Sequence, residues 1–214
     1  MKAWDEIRTW RRTKRAELIA RRQALSRETR VQAGAIVVER IFDQIADIGR
    51  EIIGFYWPIK GELDMRELVA TCLMVGAKAA LPVIVEKNRP VEFHVWTPSC
   101  EMTTGFWNIP VPAQRAVVYP TMLLVPLVGF DAHCYRLGYG GGYYDRTLAA
   151  MSPKPLTVGV GYESGRLASI HPQPHDIAMD AIATDAEFTW ASSIAYDGHT
   201  AEESNVVMLN RWRS

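Results

Sequence analysis

The segment from Met122 to Met151 narrows the possible folds more than any other part of the chain. Met122–Val128 is an apolar run of strand length, and Tyr143–Met151 reads as a helix. Between them lies Phe130-Asp131-Ala132-His133-Cys134-Tyr135-Arg136-Leu137-Gly138-Tyr139-Gly140-Gly141-Gly142-Tyr143-Tyr144-Asp145, with four glycines in five residues. A buried strand that feeds a helix through a glycine-rich connection belongs to an α/β sheet.

The rest of the chain keeps that alternation. Trp4, Ile7, Leu18 and Ile19 recur among basic residues at roughly helical spacing, predicting a helix from Trp4 to about Leu25 with a charged face. Ser26 reads as the N-cap of a second helix, carried by Ile36, Val37, Ile41 and Ile45 to about Ile48 and stopped by Gly49. Glu51–Trp57 is an apolar, aromatic strand ended by Pro58, and Asp64 with Glu67 looks like a capping box opening a helix to about Gly76. Lys78–Val85, Val91–Trp96, Leu156–Val160 and Asp180–Thr184 read as further strands. The expected architecture is a single three-layer α/β/α domain over residues 1–190 with a largely parallel central sheet. The polar tail, 191–214, shows no period and is expected to be loosely ordered.

Lys+Arg and Asp+Glu number 24 each, so net charge gives no bulk attraction to nucleic acid or a membrane. The charges are unevenly spread: residues 1–30 hold ten Lys/Arg against four acids, whereas Leu167–Asn210 has no Lys or Arg but carries Asp176, Asp180, Asp185 and Glu187. A basic end and an acidic end suit a site that holds polyanionic phosphate together with a divalent cation. Cys72, Cys100 and Cys134 are odd in number and widely spaced, which argues against a disulfide framework or structural zinc and fits a reducing cytoplasm. No apolar stretch is long enough to span a membrane.

The glycine loop carries the chemistry. Glycines let backbone N–H groups approach an anion, and the following helix adds a partly positive N-terminus. Arg136 at its start can fork onto phosphate oxygens, and Asp145 in the first helical turn can offer a carboxylate to magnesium. The plain alternative is a tight turn that packs a helix on a sheet. Neither a Walker loop nor a dinucleotide fingerprint is present, since a G-x-G-x-x-G begun at Gly138 meets Tyr143. In His171-Pro-Gln-Pro-His175 the two prolines forbid a helical metal pair, so the segment reads as a rigid extended arm delivering Asp176.

The string RLGYGGGYYDRTL, preceded by VPLVGFD, closely resembles the signature of the 5-formyltetrahydrofolate cyclo-ligase family. Arg11 and Arg15 before LIARRQALS, Glu62 in PIKGELDMREL, Trp107 in FWNIPVP, and HPQPHDIAMDAIATD come in the family's order, over about residues 8–187. The resemblance implies an ATP- and magnesium-dependent ligase, with no nucleic acid or membrane partner, cytoplasmic and a monomer or weak homodimer. It implies ATP contacts by Arg11, Arg15, Arg136, Leu137, Gly138, Tyr139, Gly140, Gly141, Gly142, Tyr143 and Tyr144, with Arg136 and Tyr144 nearest the chemistry. Trp57, Glu62, Trp107, Tyr139 and Tyr143 match the folate-binding positions, and Asp145 and Asp176 the two magnesium carboxylates. From the residues alone, Trp57 and Trp107 read as core aromatics rather than ligand walls, and the arginine pair as part of a solvated helix face.

The implied reaction closes 5-formyltetrahydrofolate to 5,10-methenyltetrahydrofolate with release of ADP and phosphate. Two rivals remain on the sequence. One is a sugar-phosphate isomerase-like enzyme on a similar scaffold, binding phosphate without consuming ATP. The other is a non-catalytic nucleotide- or RNA-binding module built on the basic first helix.

Overall fold

The computed structural model describes residues 4–191, so most of the tail expected to be loosely ordered lies outside the described residues. Helix α1 (Trp4–Gln23) opens with Asp5 and Glu6 and closes with Arg21 and Arg22, charges that complement its dipole. Its inward stripe is Ile7, Arg11, Leu18 and Arg22, so two arginines share the buried face with two aliphatics. Ser26 caps α2 (Arg27–Gln44) as expected, its Oγ accepting the Thr29 N–H at 3.0 Å. That helix stops short of Ile48, because the chain turns through a left-handed Asp47 (φ 54°) into a short 3-10 turn, Ile48–Arg50.

Strand β1 is only Ile52–Gly54, and Phe55–Trp57 leave the sheet as irregular backbone. The expected capping box before α3 (Arg66–Met74) does not form. Met65 occupies the cap position, and the Asp64 carboxylate is held by the Arg66 guanidinium and backbone N–H. Strands β2 (Lys78–Val83) and β3 (Glu92–Trp96) come next, then a small pair, β4 (Met102–Thr104) and β5 (Pro110–Pro112), and β6 (Val117–Val118). Strand β7 (Met122–Pro126) leads to a two-residue pair, β8 (Gly129–Phe130) and β9 (Arg136–Leu137), then α4 (Tyr143–Ala150). Strands β10 (Leu156–Val160), β11 (Ala181–Ala183) and β12 (Phe188–Trp190) complete the chain.

The main sheet has the order β12-β11-β10-β7-β1-β2-β3-β6. Its five inner strands, β11 to β2, run parallel, and β12, β3 and β6 add antiparallel edges. Both faces are covered, which is why β7 reads as an unbroken apolar run and every residue of β10 is buried. Met122 and Leu124 join the core under α2 and α3, while Leu123 and Val125 join the one under α4. The expected α/β fold with helices on both faces of a mostly parallel sheet is therefore found.

Connectivity locates the place where a ligand would sit. From β1 the chain moves outward one way through β2 and β3, then returns to β7 and moves the other way through β10 and β11. The direction reverses between β1 and β7, and in open α/β sheets ligands bind beyond the carboxyl ends of strands at such a switch point. Strand β1 runs out into the segment that ends at Glu62, and β7 runs out toward the glycine loop.

Candidate active site

The loop is shaped from below by Asp131, 2% exposed, a residue not singled out from the sequence. One of its carboxylate oxygens accepts the His133 and Tyr135 N–H groups, at 3.1 and 3.3 Å, and the other accepts the Ile170 N–H at 3.0 Å. This turns the chain back as β9 and fastens it to the segment near residue 170. Gly140 (φ +93°) and Gly142 (φ +64°) occupy left-handed backbone that side chains rarely adopt, and Gly142 caps α4. Above Gly138 there is open space.

Two arginines flank this loop. The Arg15 Nε–H donates to Gly138 O at 2.6 Å, with its guanidinium lying against Gly140. Burial, and then the nearby charge of Arg11, lower the Arg15 pKa, while Asp176 partly restores it. Arg146 donates to Gly141 O at 2.6 Å and lies 4.9 Å over the Tyr143 ring, with its Nε buried without a partner.

Glu62 faces the loop and is 8% exposed. Its Oε2 accepts the Ile59 N–H at 2.9 Å, its Oε1 accepts the Tyr139 hydroxyl at 2.9 Å, and Arg22 stands 3.6 Å from Oε1. Arg22 also donates to Tyr139 Oη, to Lys60 O at 2.9 Å and to Leu127 O at 3.0 Å. Burial raises the Glu62 pKa, and the Ile59 N–H, Arg22 and Tyr139 oppose that rise only in part. Burial, then the Glu62 charge, push the phenols of Tyr139 and Tyr144 upward, so both stay protonated at neutral pH. Arg22 was missed because an arginine in a basic helix reads as solvated. The available signal was its place at helical spacing from Ile7, Arg11 and Leu18.

The aromatic candidates divide. Trp107 is 61% exposed, holds a left-handed backbone (φ 57°), and presents its ring edge-to-face to Tyr143 at 5.7 Å. It is thus no core aromatic; it stands beside the glycine loop. Trp57 is partly buried against the core, with Arg66 stacked 4.6 Å above its ring.

Two expectations about charge need correcting. Asp176, read as standing in a stretch without basic partners, is paired with Arg11 at 2.5 Å and also accepts the Gln173 N–H at 2.7 Å. Burial pulls the Asp176 pKa up, but Arg11 and that N–H outweigh it and hold it below the usual carboxylate value. Arg11 is 7% exposed and also donates to Ile170 O and His171 O, so it clamps the 170s segment, and Arg15 is the arginine against the loop. Likewise the fork of Arg136 is occupied, by Asp145 Oδ1 at 3.0 Å and Ile177 O at 2.9 Å. The segment delivering Asp176 is turned, not extended, since the Asp176 N–H returns to Gln173 O at 2.9 Å.

The two segments nevertheless meet: the Ile177 N–H, one residue past Asp176, donates to Asp145 Oδ1 at 3.1 Å, while the Asp176 carboxylate itself is turned to Arg11. Among the described residues no three His, Cys, Asp or Glu side chains gather to hold a metal ion. None of the described helices is long and apolar enough to cross a membrane. With Arg11 and Arg22 spent inside the fold, the first helix offers less of a basic face than its composition suggests.

The fold and site define an open, mostly parallel α/β protein in which a glycine-rich loop faces a buried carboxylate across the sheet's switch point. The chain belongs to the 5-formyltetrahydrofolate cyclo-ligase family, whose family model matches residues 7–185. It is 28% identical over 182 residues to 5-formyltetrahydrofolate cyclo-ligase of Haemophilus influenzae, covering 82% of this chain and 94% of that one. It is 40% identical over 134 residues to the enzyme of that name from Mycoplasma pneumoniae, covering 62% and 72%. The NMR structure of Aquifex aeolicus 5,10-methenyltetrahydrofolate synthetase superposes with a TM-score of 0.74 at 27% identity, covering 89% of this chain and 95% of that one.

Proposed function

We propose that this chain closes 5-formyltetrahydrofolate to 5,10-methenyltetrahydrofolate at the expense of ATP, in the cytoplasm. The observation that carries this reading is the meeting of the glycine loop and Glu62 at the switch point, joined by the Tyr139 hydroxyl at 2.9 Å. Family membership supplies the reaction, and the geometry supports a division of labour. Loop N–H groups and Arg15 take the nucleotide phosphates. Glu62 accepts N–H donors of the pterin, while Trp107 and Tyr143, their rings nearly perpendicular, offer an aromatic corner. Trp57 lies further back and shapes the same segment. Tyr144, whose phenol burial keeps protonated, would donate a hydrogen bond to the reacting formyl group, the role that the family resemblance implies for it.

The N5-formyl oxygen is a poor leaving group. Transfer of the γ-phosphoryl group to it makes an imidate phosphate and releases ADP. The N10 lone pair then attacks the formyl carbon, the C–O bond breaks toward phosphate, N10 gives up its proton, and the ring is closed. The protein's part is in-line positioning and neutralisation of charge. Labelling the formyl oxygen with oxygen-18 tests this directly. The label is expected in the released inorganic phosphate, and unlabelled phosphate contradicts the mechanism.

Magnesium would come with the nucleotide, neutralising charge on the phosphates. Asp145 and Asp176 fit it in donor type and number, since magnesium takes one or two carboxylates and fills its shell with phosphate oxygens and water. Arg136 and Arg11 hold these carboxylates in place and act through them. Asp145→Asn and Asp176→Asn are each expected to raise the magnesium concentration needed for ADP release. The double variant should lose less than the sum of the singles, because one shared centre is already spoiled. Additive losses, or a single variant that titrates magnesium like wild type, would refute the shared site. Each single variant also leaves an arginine short of its partner, so thermal melting is monitored alongside.

A further inference from the structure

We infer that Arg22 and Tyr139 are positioning residues that join the two substrate subsites, so that nucleotide in the glycine loop and folate at Glu62 each tighten the binding of the other. This rests on the cyclo-ligase reading and adds to it a coupling. The Arg22 guanidinium, on a residue 4% exposed, touches three separate segments of the site at once. It bonds to Lys60 O before Glu62, to Leu127 O after β7, and to the Tyr139 hydroxyl inside the loop. Gly61 (φ +77°) sits against the Arg22 backbone, where an added Cβ would lie 3.3 Å from Arg22 O.

These contacts make a continuous path between the subsites. Arg15, assigned to the phosphates, bonds Gly138 O at 2.6 Å; Tyr139 is the next residue; its hydroxyl donates to Glu62 Oε1 at 2.9 Å. Glu62 is buried, so withdrawing that hydroxyl would leave a carboxylate short of a donor in a medium that penalises it. The loop therefore cannot settle on a phosphate independently of Glu62. A ligand that fixes either side prepares the other, and linkage requires the two effects to be equal. An arginine that merely tied down the Lys60 and Leu127 carbonyls would behave differently. Its loss would weaken both ligands and the fold without changing how one ligand affects the other.

The test is calorimetric titration of 5-formyltetrahydrofolate with and without saturating magnesium and AMP-PNP, and the reverse titration. Wild type, Tyr139→Phe and Arg22→Lys are compared. In wild type each ligand is expected to tighten the other by about fivefold or more, by the same factor in both directions. Tyr139→Phe removes one oxygen and keeps the ring, and its ratio is expected to fall to within about twofold of one. Arg22→Lys keeps the charge but not the fork, and should lose most of the coupling as well. A wild-type ratio of one with both ligands bound, or a Tyr139→Phe chain that keeps the wild-type ratio, overturns the inference while leaving the reaction intact. Failure of wild type to bind 5-formyltetrahydrofolate or AMP-PNP at all is a separate result, which overturns the cyclo-ligase reading and the coupling with it.

Discussion

Arg22→Met is expected to destabilise the fold by about 3–5 kcal/mol at neutral pH, the usual consequence of stripping one partner from a buried ion pair. The deficit should depend on pH in a definite sense. Burial lifts the Glu62 carboxyl above its ordinary 4.5, so the folded state binds that proton more tightly than the unfolded one. A raised pKa gives a stabilising contribution that is complete below 4.5 and is lost as pH rises through the folded value. Without Arg22 the opposition to burial weakens and the pKa climbs further, so the variant's deficit grows from acid toward neutral pH. The other groups acting on this region, Lys60, Tyr56, Tyr139, Tyr144 and Tyr162, are common to both proteins. Urea unfolding at pH 5 and pH 7.5 checks the sign. Equal deficits at both values would mean that the lost carbonyl bonds to Lys60 and Leu127 account for the whole effect.

Glu62→Gln is expected to weaken folate binding by about 1.5–3 kcal/mol, roughly 10- to 150-fold, while binary nucleotide binding changes far less. Glutamine keeps an acceptor for Tyr139 and nearly the same volume, so the contact to the loop is retained, although its NH2 then replaces the acceptor of the Ile59 N–H. What it loses is the charge facing the N–H donors of a pterin, and the counter-charge to Arg22. Calorimetry on folded variant, verified by circular dichroism, separates the ligands. An equal loss for both would show that Glu62 supports the site as a whole and does not read the folate.

Local features of this fold were legible wherever neighbours in sequence decide the outcome. Ser26 caps its helix, β10 occupies the expected residues, and the strand–glycine loop–helix unit stands where Met122–Met151 places it. The exception among neighbours is the capping box at Asp64, which failed because Arg66, two residues on, claims the carboxylate. Features settled by distant residues were not legible. Strands of two or three residues, such as β6 and β8, carry too few side chains to show a period. The site divides in the same way. The glycines stood out from the residues, and Glu62 and Trp107 only through the family resemblance, but the partners that determine their state did not. Asp176 finds Arg11 across 165 residues, and Tyr139 finds Arg22 across 117. An arginine on a basic helix gives no sign of turning inward unless the aliphatic stripe it shares is counted with it.

The most direct test of the central claim is to incubate 5-formyltetrahydrofolate with the full chain, with and without magnesium and ATP, and to record methenyl absorbance and ADP together. Methenyl product is expected only when nucleotide is present, with one ADP released for each ring closed. Product forming equally fast without nucleotide, or none forming with it, would contradict the assignment.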